Sequence, residues 1–138
     1  MSSRKKRAPI EIVQTAEEIA AGCERVFRYA LRLLDNDGWT TRGRVLDRYG
    51  RHTNIFDETA RKYSLYAALN YAVYETGFRH IWEPHFLMQE ALGVMVTDAN
   101  GVERWERAPE RTFGQVERLL LRCIARLRTY QQPMEMAA

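Results

Sequence analysis

Histidine holds metals and moves protons near neutral pH more readily than any other side chain. Two of the three histidines fall close together, His80 and His85 with Glu83 between them. The pattern His-x-x-Glu-x-His does not converge on a helix, where each step turns the side chain by about 100°. Two histidines five residues apart diverge there, and Pro84 interrupts the segment. The spacing predicts no metal centre, and Glu83 reads as an acid near the positive end of a helix dipole. The carboxylate pairs Glu17-Glu18, Asp35-Asp37 and Asp57-Glu58 stand at expected helix ends. Capping explains them without general acid–base chemistry. No glycine-rich phosphate loop and no local nucleophile elbow occurs, although a triad drawn from residues distant in sequence stays open. Cys23 and Cys123 lie a hundred residues apart, each on an apolar helical stripe. They are expected to be reduced core thiols, with neither a disulfide nor a metal partner.

Binding chemistry has more material. Arginine outnumbers lysine 18 to 3, and it recurs on two helical patterns as Arg25, Arg28 and Arg32 and as Arg118, Arg122 and Arg126. Such ridges could meet phosphates, but Glu24 and Glu117 beside them favour a solvated face. Tyr63, Tyr66, Tyr71 and Tyr74 cluster in one segment with Asn70. Tyrosine supplies contact area and a polar tip, which suits an interface or pocket as well as the edge of a core.

These side chains need elements to position them. Thr15 and Glu18 form a capping box, and Ile19, Cys23, Val26, Phe27, Ala30 and Leu34 then share one face of a first helix ending near Asp35–Gly38. Residues 39–56 show no helical period and predict a loop with short strands at most. Asp57 is expected to cap a second helix carrying Leu65, Ala68, Leu69, Ala72 and Val73 up to Gly77. Pro84 suits the first turn of a short third helix over about residues 84–92. Residues 94–96 and 102–105 flank Asn100-Gly101, which predicts a tight β-hairpin. Thr112 and Gln115 open a last helix whose stripe runs from Val116 through Leu119, Leu120, Cys123 and Ile124 to Leu127 and which should end before Pro133. The expected fold is mainly α, a compact bundle of three to four helices with one small β-hairpin, in which the first and last helices pack together.

At 138 residues, with 46% hydrophobic and 28% charged positions, the chain is sized and composed for one packed core. The expected organisation is a basic tail over residues 1–9, a single helical domain over 10–132 and a short C-terminus over 133–138. The net charge of +3 suggests nucleic acid until it is divided. Arg4, Lys5, Lys6 and Arg7 carry four positive charges, and without them 17 basic residues face 18 acidic ones, so the body is close to neutral. A broad phosphate-binding surface is unsupported, whereas the tail is a candidate nucleic-acid contact. No apolar run approaches the roughly 20 residues that span a bilayer, and no secretory signal is evident, so a cytoplasmic protein without membrane contact is expected.

Gly38-Trp39, the stretch Tyr63-Ser64-Leu65 with Ala67-Ala68, and Trp105-x-x-Ala108-Pro109-x-Arg111-Thr112-x-x-x-Val116 form a pattern. It resembles a family of small uncharacterised bacterial and phage proteins, and the likeness covers residues 19–125. That resemblance implies one compact domain in a bacterial or phage setting and no particular chemistry. Where that family often has a cysteine in the second helix, this chain has Ser64, which speaks against an essential thiol there.

Together these features point to a non-enzymatic binding or accessory module that meets a protein partner through Tyr63, Tyr66, Tyr74, Trp82, Trp105 and Arg111, with no cofactor. The alternatives are a nucleic-acid-associated regulator acting through Arg4, Lys5, Lys6 and Arg7, and a small enzyme or ligand-binding protein with a pocket between the first, second and last helices.

Overall fold

A computed structural model describes residues 15–131, apart from 36, 79–81, 96 and 99. His80 and the basic tail Arg4–Arg7 therefore lie outside the described residues. Helix α1 (Ala16–Leu34) opens on the expected capping box: the Glu18 N–H donates to Thr15 Oγ1 at 3.1 Å, and the Thr15 N–H donates to Glu18 Oε1 at 2.8 Å. At the other end of the chain α5 (Phe113–Gln131) begins in the same way, with the Gln115 N–H on Thr112 Oγ1 and the Thr112 N–H on Gln115 Oε1. The two helices lie along each other and bury both stripes, Cys23, Phe27 and Leu34 from one and Leu120, Cys123 and Leu127 from the other.

Helix α2 (Leu65–Thr76) packs on α1. Ala67, Ala68 and Ala72 are buried beside Leu65, Leu69 and Val73, so its small residues let the backbones approach closely. It ends at Gly77, whose left-handed φ of 69° costs a glycine nothing. Its start corrects the expectation for Asp57. The cap is Ser64, whose hydroxyl accepts from the Ala67 N–H at 3.1 Å. Asp57 instead organises a turn, accepting from the Thr53 and Thr59 hydroxyls at 2.6 and 2.7 Å and from the Thr59 N–H at 2.8 Å. These bonds hold its carboxyl down at about 2.

The residues after that turn are a strand. β1 (Val45–Asp47) pairs antiparallel with β2 (Ala60–Tyr63), Val45 opposite Tyr63 and Asp47 opposite Ala60. The β-hairpin thus has its first strand in the segment expected as a loop and its second in the stretch expected to open the second helix, and it does not lie around Asn100-Gly101. There the chain forms α4 (Gly101–Glu106). Gly101 is buried, and a Cβ on it would stand 2.2 Å from Val94 Cγ1. The glycine serves close packing of α4 on the preceding segment and not the positive φ of a hairpin turn. Helix α3 (Glu83–Leu92), with Pro84 in its first turn, packs on α5 and, less extensively, on α1 and α4. The architecture is mainly α with one small hairpin. Among the described residues no helix is long and apolar enough to cross a membrane.

Candidate functional site

Helices α2, α3 and α4 and the segment before β1 enclose a cleft of about 280 Å³. Three consecutive features of α3 build one wall. Pro84 starts the helix, Trp82 precedes it, and the 3.6-residue turn then carries His85 and Gln89 to one side. Trp82 is 62% exposed and Phe86 43%, so large apolar side chains stand at the opening. Tyr66 of α2 supplies the facing wall, its ring 5.4 Å from that of His85, with the Trp82 ring 6.3 Å from the same imidazole.

His85 is held from below. Its Nε2 lies 3.1 Å from Asn70 Oδ1, one turn beyond Tyr66 on α2. Burial lowers the imidazole pKa below its ordinary value, which favours the neutral ring. Gln89 is 6% exposed. Its amide nitrogen donates to the Asp98 carbonyl at 3.1 Å. A carbonyl only accepts, so the amide nitrogen is fixed on that side, and Oε1 is left as a buried acceptor with no donor among the described residues.

Charge enters from the rim. The Arg44 guanidinium lies over the Tyr66 ring at 4.9 Å, and its Nη2 is 3.4 Å from Glu103 Oε2. Arg107 approaches the same oxygen at 3.8 Å. A second, more open recess of about 670 Å³ adjoins the cleft and shares Arg44, Asn100 and Glu103 with it, adding Arg104 and Arg107. Arg104 is ion-paired with Asp98.

A buried carboxylate fastens this region together. Glu106, 2% exposed, accepts on one oxygen from the Trp39 indole N–H and from the Leu65 N–H at the start of α2, both at 2.7 Å. Burial raises its pKa above the ordinary value, although the two donors, and Arg107 by its charge, pull the other way. It ties α4 to α2 and to the chain after α1.

The six residues expected at an interface lie in separate places. Tyr66 and Trp82 share the cleft. Tyr63, at 9% exposure, lies in the core, stacked on Tyr71 with ring centroids 6.3 Å apart, because β2 turns it inward. Tyr74 is exposed but joins Phe56, 4.9 Å away, in another cluster. Trp105 is half-buried beneath Arg111, whose guanidinium sits 3.9 Å over the indole and whose Nε–H donates to the Trp105 carbonyl at 2.8 Å. That pair closes the turn between α4 and α5. The arginine ridges are largely engaged with neighbours: Arg28 with Glu24, Arg126 with Glu90, and Arg122 with the Ala91 carbonyl. Arg44, Phe86, Gln89, Glu103 and Glu106 were not singled out in the sequence. Only the His85–Gln89 spacing of four carries a local signal.

The remaining chemistry lies elsewhere. Cys23 and Cys123 are buried and unpaired, their thiols pushed up to about 12 by burial. Among the described residues no group of three or more His, Cys, Asp or Glu is placed to hold a metal ion. An apolar groove of about 500 Å³ runs between α1, α3 and α5, past Ile19, Cys23, Leu87 and Leu127. This groove thus opens between the first and last helices beside α3.

The model of a family of unknown function, DUF6197, matches residues 21–126. No curated protein and no solved structure matches the chain.

Proposed function

The chain belongs to DUF6197, a family described only as of unknown function, and from its site we propose that it is a non-enzymatic binding module whose recognition surface is the Tyr66–Trp82–Phe86 cleft. One observation carries this reading: two exposed aromatics stand at the mouth of a cleft lined by Gln89, whose buried amide oxygen has no donor among the described residues. Exposed aromatic anchors over a partly desolvated polar group are what recognition sites use, and an unpaired buried acceptor is costly to keep for stability alone. The cysteine thiols are in the core, and the Ser64 hydroxyl is spent on a helix cap.

The test compares what the native protein and two surface variants retain from an extract of the source cells, after each variant is shown to melt with the native protein. Trp82→Ala with Phe86→Ala should abolish retention of the bound molecule, while Phe56→Ala with Tyr74→Ala should preserve it. Retention by the first pair, or loss by the second, would overturn the assignment.

A further inference from the structure

The cleft and the recess beside it divide their chemistry sharply. The cleft offers flat apolar walls in Tyr66, Trp82 and Phe86, and it is lined by Gln89, whose buried Oε1 has no donor among the described residues. The recess offers guanidiniums from Arg44, Arg104 and Arg107, each side chain more than half exposed. Their common wall contains the carboxylate of Glu103 and the amide of Asn100. A single ligand spanning both needs a planar ring with an N–H donor, then hydroxyls, then an anion. Resting on the reading of the cleft as the recognition surface, we infer that this double recess binds a nucleotide, with an amino-bearing base in the cleft and its phosphate among the three arginines.

Each part has a physical reason. A base stacks on aromatic side chains whatever its identity, because every base has a π face. An exocyclic amine gives the buried Gln89 oxygen its missing donor, and the Asp98 carbonyl prevents the amide from reversing to accept a different partner. Glu103 accepts from sugar hydroxyls in the position between ring and phosphate. Three arginines against Asp98 and Glu103 leave one net positive charge, and the recorded ion pairs occupy only part of each five-donor guanidinium. A cleft of about 280 Å³ admits one base and not a folded peptide segment.

The probe is adenosine 5′-monophosphate, titrated into isotopically labelled protein while the Trp82 indole N–H signal is followed by NMR, with adenosine and inorganic phosphate as partial ligands. The nucleotide should move that signal and bind at least about tenfold more tightly than adenosine, the expected worth of a charge-assisted phosphate contact. Arg104→Gln with Arg107→Gln, both at exposed positions, should reduce its affinity to that of adenosine without altering adenosine binding. Gln89→Leu should weaken the nucleotide but not the purine riboside 5′-monophosphate that lacks the amine; that analogue serves as the control for folding. A short oligoadenylate binding more tightly than the mononucleotide would identify a nucleic-acid strand as the source, and equal binding a free nucleotide. No movement of the Trp82 signal with mononucleotide or oligonucleotide at about 10 mM, the weak end of specific affinity, overturns the inference. So does full nucleotide affinity in the double arginine variant. If Trp82→Ala with Phe86→Ala still abolishes retention of a cellular molecule, the cleft remains the recognition surface and only the nucleotide is lost.

Discussion

Replacing Glu106 should be among the most damaging single changes in the α4 region. Its one engaged oxygen serves two donors, the Trp39 indole and the Leu65 backbone N–H. Glu106→Ala leaves both unpaired, the second of them fully enclosed at the start of α2. A buried donor without a partner costs about 1–3 kcal/mol, so the pair, with the space left by the side chain, comes to about 3–5 kcal/mol. Against a total of about 5–15 kcal/mol for a domain of this kind, that lowers the melting temperature by about 10–20 °C. Glu106→Gln keeps an oxygen where the donors need it and should cost about 1 kcal/mol. The two variants also differ in pH dependence. Burial raises the Glu106 pKa above its ordinary 4.5, so the folded protein holds this proton more tightly than the unfolded chain does. The stability that follows is fully present below the unfolded value and is lost as pH rises through the folded one. The native protein should therefore lose stability relative to Glu106→Gln as pH rises from below the ordinary carboxylate value to above the raised one. Thermal and urea unfolding followed by circular dichroism measure both effects. A Glu106→Ala variant within about 1 kcal/mol of native, or a native protein that gains on Glu106→Gln as pH rises, would show that Glu106 does not fasten α4 to α2.

Burial pushes the thiols of Cys23 and Cys123 up to about 12, so a disulfide reagent should leave both unmodified in the native protein and react with both in denaturant. Rapid native labelling of either cysteine would place it outside the core. Gly101→Ala drives a methyl into Val94 Cγ1, 2.2 Å away, and should destabilise by about 1–3 kcal/mol in urea unfolding despite the better helix propensity of alanine. Val94→Ala combined with it should recover most of that loss, and a neutral Gly101→Ala would show that α4 does not pack as closely as the structure has it.

The outer helices were legible because their signals are local. Thr15 with Glu18 and Thr112 with Gln115 announce their own starts, and the Cys23–Phe27 and Leu120–Leu127 stripes announce the faces that meet. Asp57 and Gly101 misled for one common reason. Each has two uses, and tertiary context selects between them: a carboxylate that caps helices also caps turns, and a glycine that permits positive φ also permits close contact. The cleft was less legible still. Arg44 reaches Glu103 across 59 residues, and Trp39 reaches Glu106 across 67, so nothing near either acid in the sequence separates the buried Glu106 from its exposed-looking neighbour. Tyr66 and Trp82 were found by residue type alone, and residue type could not say that Tyr63, three positions earlier, faces the core.

Recognition by this protein should occur in the cleft beside α3. The most direct test maps amide and indole chemical shifts of the labelled protein while the molecule retained from the source cells is titrated back. The largest changes should fall on Tyr66, Trp82, His85 and Gln89 and leave Phe56 and Tyr74 where they were. Shifts gathered on the Phe56–Tyr74 cluster, with the cleft silent, would contradict it.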